Sequence, residues 1–465
     1  MSSLIASAEP ALVTIDRAGH APRRDPRTAL EALLLRTLPE APRAALVIGD
    51  SSGTFAAACA AARPACRWQR EAPGAPIGDT GFDLVVLGAD WCAAGADPLA
   101  LLRRLHARAA EGAVLLAAVE NRATLAMLQR WLEADLSDDA DGPLARAHLR
   151  HGSPASFYKL LLDSGWLPCE AAATAAPPVD PAFAAAALAL ADSVGVPAAT
   201  ASRQLGTGLL AVRATRDGGF PASLCSERED EVDATEAALF DVVVPVTRET
   251  QLRLNVDQSP GLAEVEARVV AWRRASSAAA ALEGAKAHVD ADWILFCHQD
   301  VYFPAGFGRR LNELLAGISA EERPRTLIGF AGMAVAADRQ GYAPAGLVID
   351  RRACFDHAGS SEVVSIDELA IVVARESLHR IDPALGWHLW ATDLCLGAIG
   401  EHRVFPRIVR LPLFHNSSND HRLPLAFRTS AALLAAKHPE FGAIATLCGT
   451  IDAAFLAAPV PEPAC

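Results

Sequence analysis

The sequence predicts an α/β protein made of two doubly wound units. Three observations lead there. Short, unbroken apolar runs recur along the chain, as in strands covered on both faces. Helical patterns separate them. The alternation is interrupted once, by a charged stretch near the middle, and then resumes.

The elements follow in order. Residues 1–26 are polar and Pro-rich and predict a loose N-terminal arm. "DPRTALEALLLRTL" predicts an amphipathic helix, with Asp25 as cap and Pro26 at the first position. "AALVIGD" is a strand entering a Gly/Ser turn, "FDLVVLGAD" a second and "GAVLLAAVEN" a third, with "PLALLRRLHARAA" as a helix between them. Together they predict a parallel sheet with helices on both faces, over residues 27–216. "DGGFPASLCSEREDEVDATEAA" carries a charge cluster and little periodicity, so residues 217–236 read as a linker. The second unit, 237–465, opens on "FDVVVPVT" and continues through "DWILFCHQD", "TLIGFAGMAV" and "SIDELAIVVA". There is no internal repeat.

The 465 residues can bury more than one core. Hydrophobic residues at 51% and charged residues at 21% fit an ordinary globular protein. A net charge of −13 without a long basic block argues against nucleic acid as partner. The ten cysteines show no CxxC pair, which predicts reduced thiols and a cytoplasmic location. No segment reads as a signal peptide, and runs such as "AAAALALA" are too short to span a bilayer, although peripheral membrane contact stays open.

"LVIGDSSGTF" resembles the first motif of class I S-adenosylmethionine-dependent methyltransferases, in which a strand ends in a Gly-rich turn. "FDLVVLGADW", "DPLALLRRLHARAAEGAVLLAAVEN" and "HLRHGSPASFYKLLLDSGW" resemble that family's later segments. The resemblance implies a Rossmann-like fold with Gly49, Asp50, Gly53 and Glu71 on the cofactor side, Glu71 being the candidate for gripping the ribose. The motif is depleted, however. Val47 stands where the family has an acid, and Ser51 replaces the middle glycine. A packing turn would account for the same letters. The expectation is therefore a degenerate domain that binds S-adenosylmethionine weakly or not at all. His148 and Arg150 read equally as site residues or as an exposed loop pair.

In "ILFCHQDVYFP" an apolar strand ends abruptly in His298, Gln299 and Asp300. A carboxylate at such a strand end can hold a divalent cation. Read alone, the three letters also fit a plain strand-end turn. With "FDVVVPVT", "SSAAAALEGAKAHVDADWILFCHQDVYFP" and "IDPALGWHLWATDLCLGAIGEH", the second unit resembles glycosyltransferase family 2, in a branch that writes HQD in place of its DxD motif. The resemblance implies a GT-A domain. Asp300 and His415 would hold Mn²⁺ or Mg²⁺. His298, Gln299, Pro245 and Ser276 would lie on the donor side, and Asp367, Glu368, Trp387 and Trp390 on the acceptor side. Asp393 would be the general base that deprotonates the acceptor hydroxyl.

The function implied is metal-dependent inverting transfer of a sugar from a nucleotide-sugar to a saccharide, lipid-linked or protein acceptor. Two alternatives stand beside it: a bifunctional glycosyltransferase and methyltransferase, and a non-catalytic glycan-binding scaffold.

Overall fold

A computed structural model describes residues 13–14, 26–78, 80–91, 97–132, 152–225, 237–350, 354–401, 403–404, 406–417 and 423–458. The first unit runs β1 (Val13–Thr14), α1 (Pro26–Arg36), β2 (Ala44–Ile48), α2 (Thr54–Ala62), β3 (Arg67–Glu71), β4 (Phe82–Leu87), α3 (Pro98–Arg108) and β5 (Ala109–Glu120). It continues through α4 (Leu125–Leu132), α5 (Pro154–Asp163), β6 (Trp166–Ala175), α6 (Pro181–Ser193), α7 (Ala198–Gly206) and β7 (Thr207–Arg216). Its seven strands lie in the order β1-β6-β7-β5-β4-β2-β3.

The expected strands β2, β4 and β5 pair in parallel around a fully buried centre, Leu46 to Ile48 and Leu84 to Leu87. The sheet is not wholly parallel, as had been expected. β7 runs antiparallel between β5 and β6. Its sequence, "TGLLAVRATR", carries no turn signal that would announce the reversal. Residues 13–14, expected in a loose arm, add a short parallel strand beside β6.

The second unit runs β8 (Phe240–Val246), α8 (Glu249–Leu254), α9 (Pro260–Ala263), β9 (Val269–Arg273), α10 (Ala278–Lys286), β10 (Trp293–Cys297), β11 (Val301–Tyr302), α11 (Phe307–Ala316) and β12 (Leu327–Gly329). Then come β13 (Ala331–Val335), β14 (Tyr342–Asp350), β15 (Cys354–Asp356), β16 (Val363–Ile366), β17 (Ala370–Ala374) and α12 (Trp390–Gly400). The chain ends in β18 (Arg407–Ile408), β19 (Leu413–His415), α13 (Leu425–Lys437), β20 (Ile444–Thr446), β21 (Gly449–Ile451) and α14 (Ala453–Ala457). One six-stranded sheet has the order β18-β12-β17-β10-β8-β9 and is mixed, because β17 is antiparallel to both neighbours. A second sheet, β11-β19-β14-β13-β16, packs beside it. Two predicted strands split between the sheets. "TLIGFAGMAV" divides at Phe330 into β12 and β13, and "SIDELAIVVA" divides at Asp367, Glu368 and Leu369 into β16 and β17.

The units share a core. Phe157, Tyr158 and Trp166 of the first pack in one apolar cluster with Tyr302, Leu347, Ile349 and Phe414 of the second. The stretch expected as a linker starts inside this seam. Asp217 and Phe220 are buried, and Asp217 pairs with Arg310 at 2.9 Å. Residues 226–236 lie outside the described part. The eight described cysteines are all free thiols. Among the described residues no helix is long and apolar enough to cross a membrane.

Candidate functional site

The first candidate site is the corner where β2 and β3 end. β2 stops at Ile48, and Gly49 and Gly53 both adopt positive φ, 77° in each case, which glycine reaches without strain. A Cβ on Gly49 would meet the Trp91 backbone at 2.3 Å, so the turn is folded hard against the loop after β4. Ser51, the departure from the family's glycine, donates through Oγ to Asp90 at 2.6 Å and ties the same two loops. Asp50 turns inward. Its carboxylate accepts from the amides of Gly53 at 3.0 Å and Ala56 at 2.8 Å and so satisfies the start of α2. Val47 is fully buried in the strand and belongs to the core.

Glu71 is the last residue of β3 and lies opposite Ile48. Its main-chain oxygen accepts from the Gly49 amide at 3.4 Å. Its carboxylate takes one hydrogen bond, from Gln69 Nε2 at 3.1 Å, and the second oxygen can accept another. Beside it, between α2 and β3, runs an open groove of about 440 Å³ lined by Ser52, Gly53, Thr54, Trp68, Gln69 and Arg70. Of the four residues expected on the cofactor side, Gly49, Gly53 and Glu71 therefore meet at one corner, while Asp50 is spent on the helix. His148 and Arg150 lie outside the described residues.

The second candidate site is the turn after β10. His298, Asp300 and His415 come together there, with ligand-type atoms all within 4.8 Å of one another. The sequence proximity of "HQD" and the remote "FHNSS" is thus realised in space, since β11 pairs with β19 and brings Val301 opposite His415. Two imidazoles and a carboxylate are donors that a divalent cation accepts. The electrostatics work against that use. His415 stands between two carboxylates, with Nε2 3.6 Å from Asp300 and Nδ1 3.3 Å from Asp350. Burial disfavours its charge, but the two acids outweigh that and hold its pKa well above the usual histidine range. An imidazolium has no free lone pair, so a cation binding here would have to displace a ring proton. Asp300 is held well below the ordinary carboxylate range, its burial being outweighed by His415. His298 is pushed down, mainly by burial, and stays neutral.

Gln299 behaves as a staple. Its Oε1 accepts from the amides of Thr247 at 2.9 Å and Arg248 at 2.8 Å, and its Nε2 donates to Thr247 Oγ1 at 2.8 Å. Pro245 lies within β8, paired with Trp272 of β9, and Ser276 is exposed just before α10.

Of the base and the residues expected around the acceptor, Asp393, Trp390, Glu368 and Asp367 have partners within the fold. Asp393 sits in the first turn of α12, as its sequence position suggests, but it is buried. Oδ1 meets His438 Nε2 at 2.7 Å and Oδ2 meets Lys437 Nζ at 2.8 Å. A carboxylate with both oxygens so engaged is not a free base. Trp390 is 2% exposed and stacks edge-on against Phe296 at 5.2 Å, which makes it core rather than a sugar platform. Trp387 is 36% exposed. Glu368 accepts from the Trp390 amide at 2.9 Å and caps α12, whose preceding residue Leu389 has φ 64°. Burial, with Asp367 beside it, pushes the Glu368 carboxyl well above its usual range. Asp367 accepts from the Leu369 amide at 3.0 Å and shapes the turn between β16 and β17. Sequence reasoning missed His438 and Lys437; "AAKHPE" offers only a basic helix end, the kind that attracts acids.

No family model and no curated protein matches the chain. Solved structures do. A SAM-dependent methyltransferase from Thermotoga maritima, described as a possible histamine N-methyltransferase, aligns over 40% of this chain and 87% of its own, with 12% identity and a TM-score of 0.26. The plantazolicin methyltransferase BpumL in complex with SAH aligns over 41% and 82%, with 14% identity and a TM-score of 0.25. A SAM-dependent methyltransferase from Mesorhizobium loti aligns over 40% and 96%, with 18% identity and a TM-score of 0.23. Identities and scores of this size leave the fold of the first unit to be argued from its own strand order.

Two expectations are corrected at this point. All three structures are described as methyltransferases. Sugar transfer as the chain's activity, with its alternatives, and Mn²⁺ or Mg²⁺ as its cofactor are not carried forward. The engaged carboxylate of Asp393 and the His415 ring held between two acids give the physical reason. The expectation that S-adenosylmethionine is bound weakly or not at all is also dropped. It rested on lost letters, yet Gly49, Gly53 and Glu71 still meet at one corner of the first unit.

Proposed function

We propose that the chain is a methyltransferase whose first unit binds S-adenosylmethionine at the corner formed by Gly49, Gly53 and Glu71. One observation carries the reading: the Glu71 carboxylate ends β3 beside the glycine turn, with an oxygen left to accept. Vicinal ribose hydroxyls are a matched pair of donors for such a group. The residues fit the cofactor in a second respect. Positive φ at Gly49 and Gly53 turns the chain sharply and keeps the end of β2 beside Glu71. The cofactor, once bound, supplies an electrophilic methyl group on a sulfonium.

The chain's own contribution is to hold and orient. Glu71 would fix the ribose, while the Ser51–Asp90 bond keeps the turn and the loop after β4 in register. Positioning of this kind is a large part of what a transfer enzyme provides. Calorimetric titration of the full chain with S-adenosylmethionine and S-adenosylhomocysteine tests the proposal. A one-site isotherm with micromolar affinity is expected, and an absence of heat up to millimolar ligand overturns it.

A further inference from the structure

We propose that the contact between the two units is proton-dependent, with Asp163 as the group that senses the proton. Asp163 ends α5 and reaches across the seam. Its Oδ2 accepts from the Tyr302 hydroxyl at 2.6 Å and its Oδ1 from the Ala305 amide at 3.2 Å. Both donors are neutral and both belong to the second unit. Tyr302 lies in β11, the strand that leaves the His298–Asp300 turn and pairs with the strand ending in His415. The proton on Asp163 is thereby linked to how the second unit's cluster is held.

The cations nearby are directed elsewhere. Arg103 of α3 donates through Nε to the main-chain oxygen of Asp163 at 3.1 Å. Lys159 of α5 donates to the carbonyl of Leu254 and stands 4.4 Å from the centre of the Tyr302 ring. A carboxylate in this setting loses much of its water and gains neutral hydrogen bonds, while the nearby cations bond to other acceptors. Burial wins and pushes Asp163 up to about 6, against lowering by Tyr302, Ala305, Arg103 and Lys159.

Other titratable groups face the same seam. Glu264, which accepts from the amides of Gly306 and Gly308, is raised by burial and acts with the same sign. Arg309 lies beside Glu264, and Arg310 is paired to Asp217. His106, against the Asp217 carbonyl at 3.0 Å, is pushed by burial down to about 4. Its sign is opposite. A depressed histidine contributes stability above its unfolded value and loses it as pH falls. A raised carboxylate contributes stability that is complete below its unfolded value, near 3.9, and is lost as pH rises through about 6. A plain pH titration of the wild type therefore mixes the two.

The comparison that isolates Asp163 is Asp163→Asn, since the amide mimics the protonated acid. Hydrogen-exchange protection, corrected for intrinsic rates, would be measured in the full chain across 160–165 and 301–307. At pH 4 the wild type and Asp163→Asn should be equally protected. At pH 7 the wild type should be the less protected, by up to about a hundredfold for a two-unit shift. Equal protection at both pH values, or the reverse order, overturns the proposal. Should Asp163→Asn not fold, Tyr302→Phe serves. Removing a donor to the carboxylate should move the loss of protection to higher pH, and an unmoved profile overturns the proposal equally.

Discussion

The corner of the first unit and the strand-end turn of the second present similar side chains in opposite states. Glu71 ends its strand with one hydrogen bond from Gln69 and an oxygen to spare. Asp300, Asp393 and Glu368 also sit at strand or helix ends, but each is answered from within the protein, by His415, by His438 with Lys437, and by the Trp390 amide. The difference teaches that a carboxylate's place at a strand end says little about availability. What decides is whether other elements bring it partners. β3 is an edge strand with solvent beyond it, whereas the second unit stacks two sheets and α12 against its carboxylates. Unpaired charges there would be costly, so the fold supplies counter-charges.

The largest expected effect sharpens the contrast between core and surface aromatics. Trp390→Ala should destabilise the chain by about 3–5 kcal/mol, as for other large-to-small core changes, whereas Trp387→Ala should stay within about 0.5 kcal/mol. Urea unfolding of both variants measures it. Similar values for the two would break the assignment of Trp390 to the core.

Next comes Asp393. Replacing it by Ala strands the buried His438 and the half-exposed Lys437, and a loss of about 2–3 kcal/mol is expected, discounted for the solvent that reaches Lys437. Chemical denaturation at pH 7 checks this. A free base held ready for chemistry would leave stability unchanged.

The His415 cluster gives a pH signature. Asp300 is lowered, so its contribution is present above about pH 4 and is lost as pH falls further. His415 is raised, so its contribution is complete below about pH 6.5 and is lost as pH rises through its higher folded value. The destabilisation caused by His415→Ala should accordingly be greatest between about pH 4 and 6.5 and amount to about 1–3 kcal/mol. Thermal melting of wild type and variant across pH 3–9 reads it as a difference. A flat difference would break the picture of an imidazolium between two acids.

The smallest effect belongs to Glu71. Glu71→Gln should weaken S-adenosylhomocysteine by roughly tenfold, about 1.4 kcal/mol, and leave the melting temperature where it is. Competitive titration measures the first and scanning calorimetry the second. A drop in stability without a change in affinity would place Glu71 with the paired acids of the second unit.

The sequence by itself determined the elements whose pattern is local. Apolar runs marked β2, β4, β8 and β10, because a strand buried on both faces must be apolar along its whole length. Pro26 marked the start of α1 as a proline in the first turn. It also announced that His298, Gln299 and Asp300 leave an apolar strand together. Only the tertiary structure decided the rest. The direction of β7 depends on which neighbours it joins, and apolar letters such as its "GLLAV" read the same in either direction. The partners of Asp393 come from the end of α13 and the residue after it, 44 and 45 residues away, and those of His415 from β14 and the turn after β10. Asp163 looks in the sequence like any helix-ending acid. Whether a carboxylate is a base, a cap, a counter-ion or a free acceptor is set by what surrounds it in three dimensions, since burial and neighbouring charge fix its protonation and its remaining lone pairs.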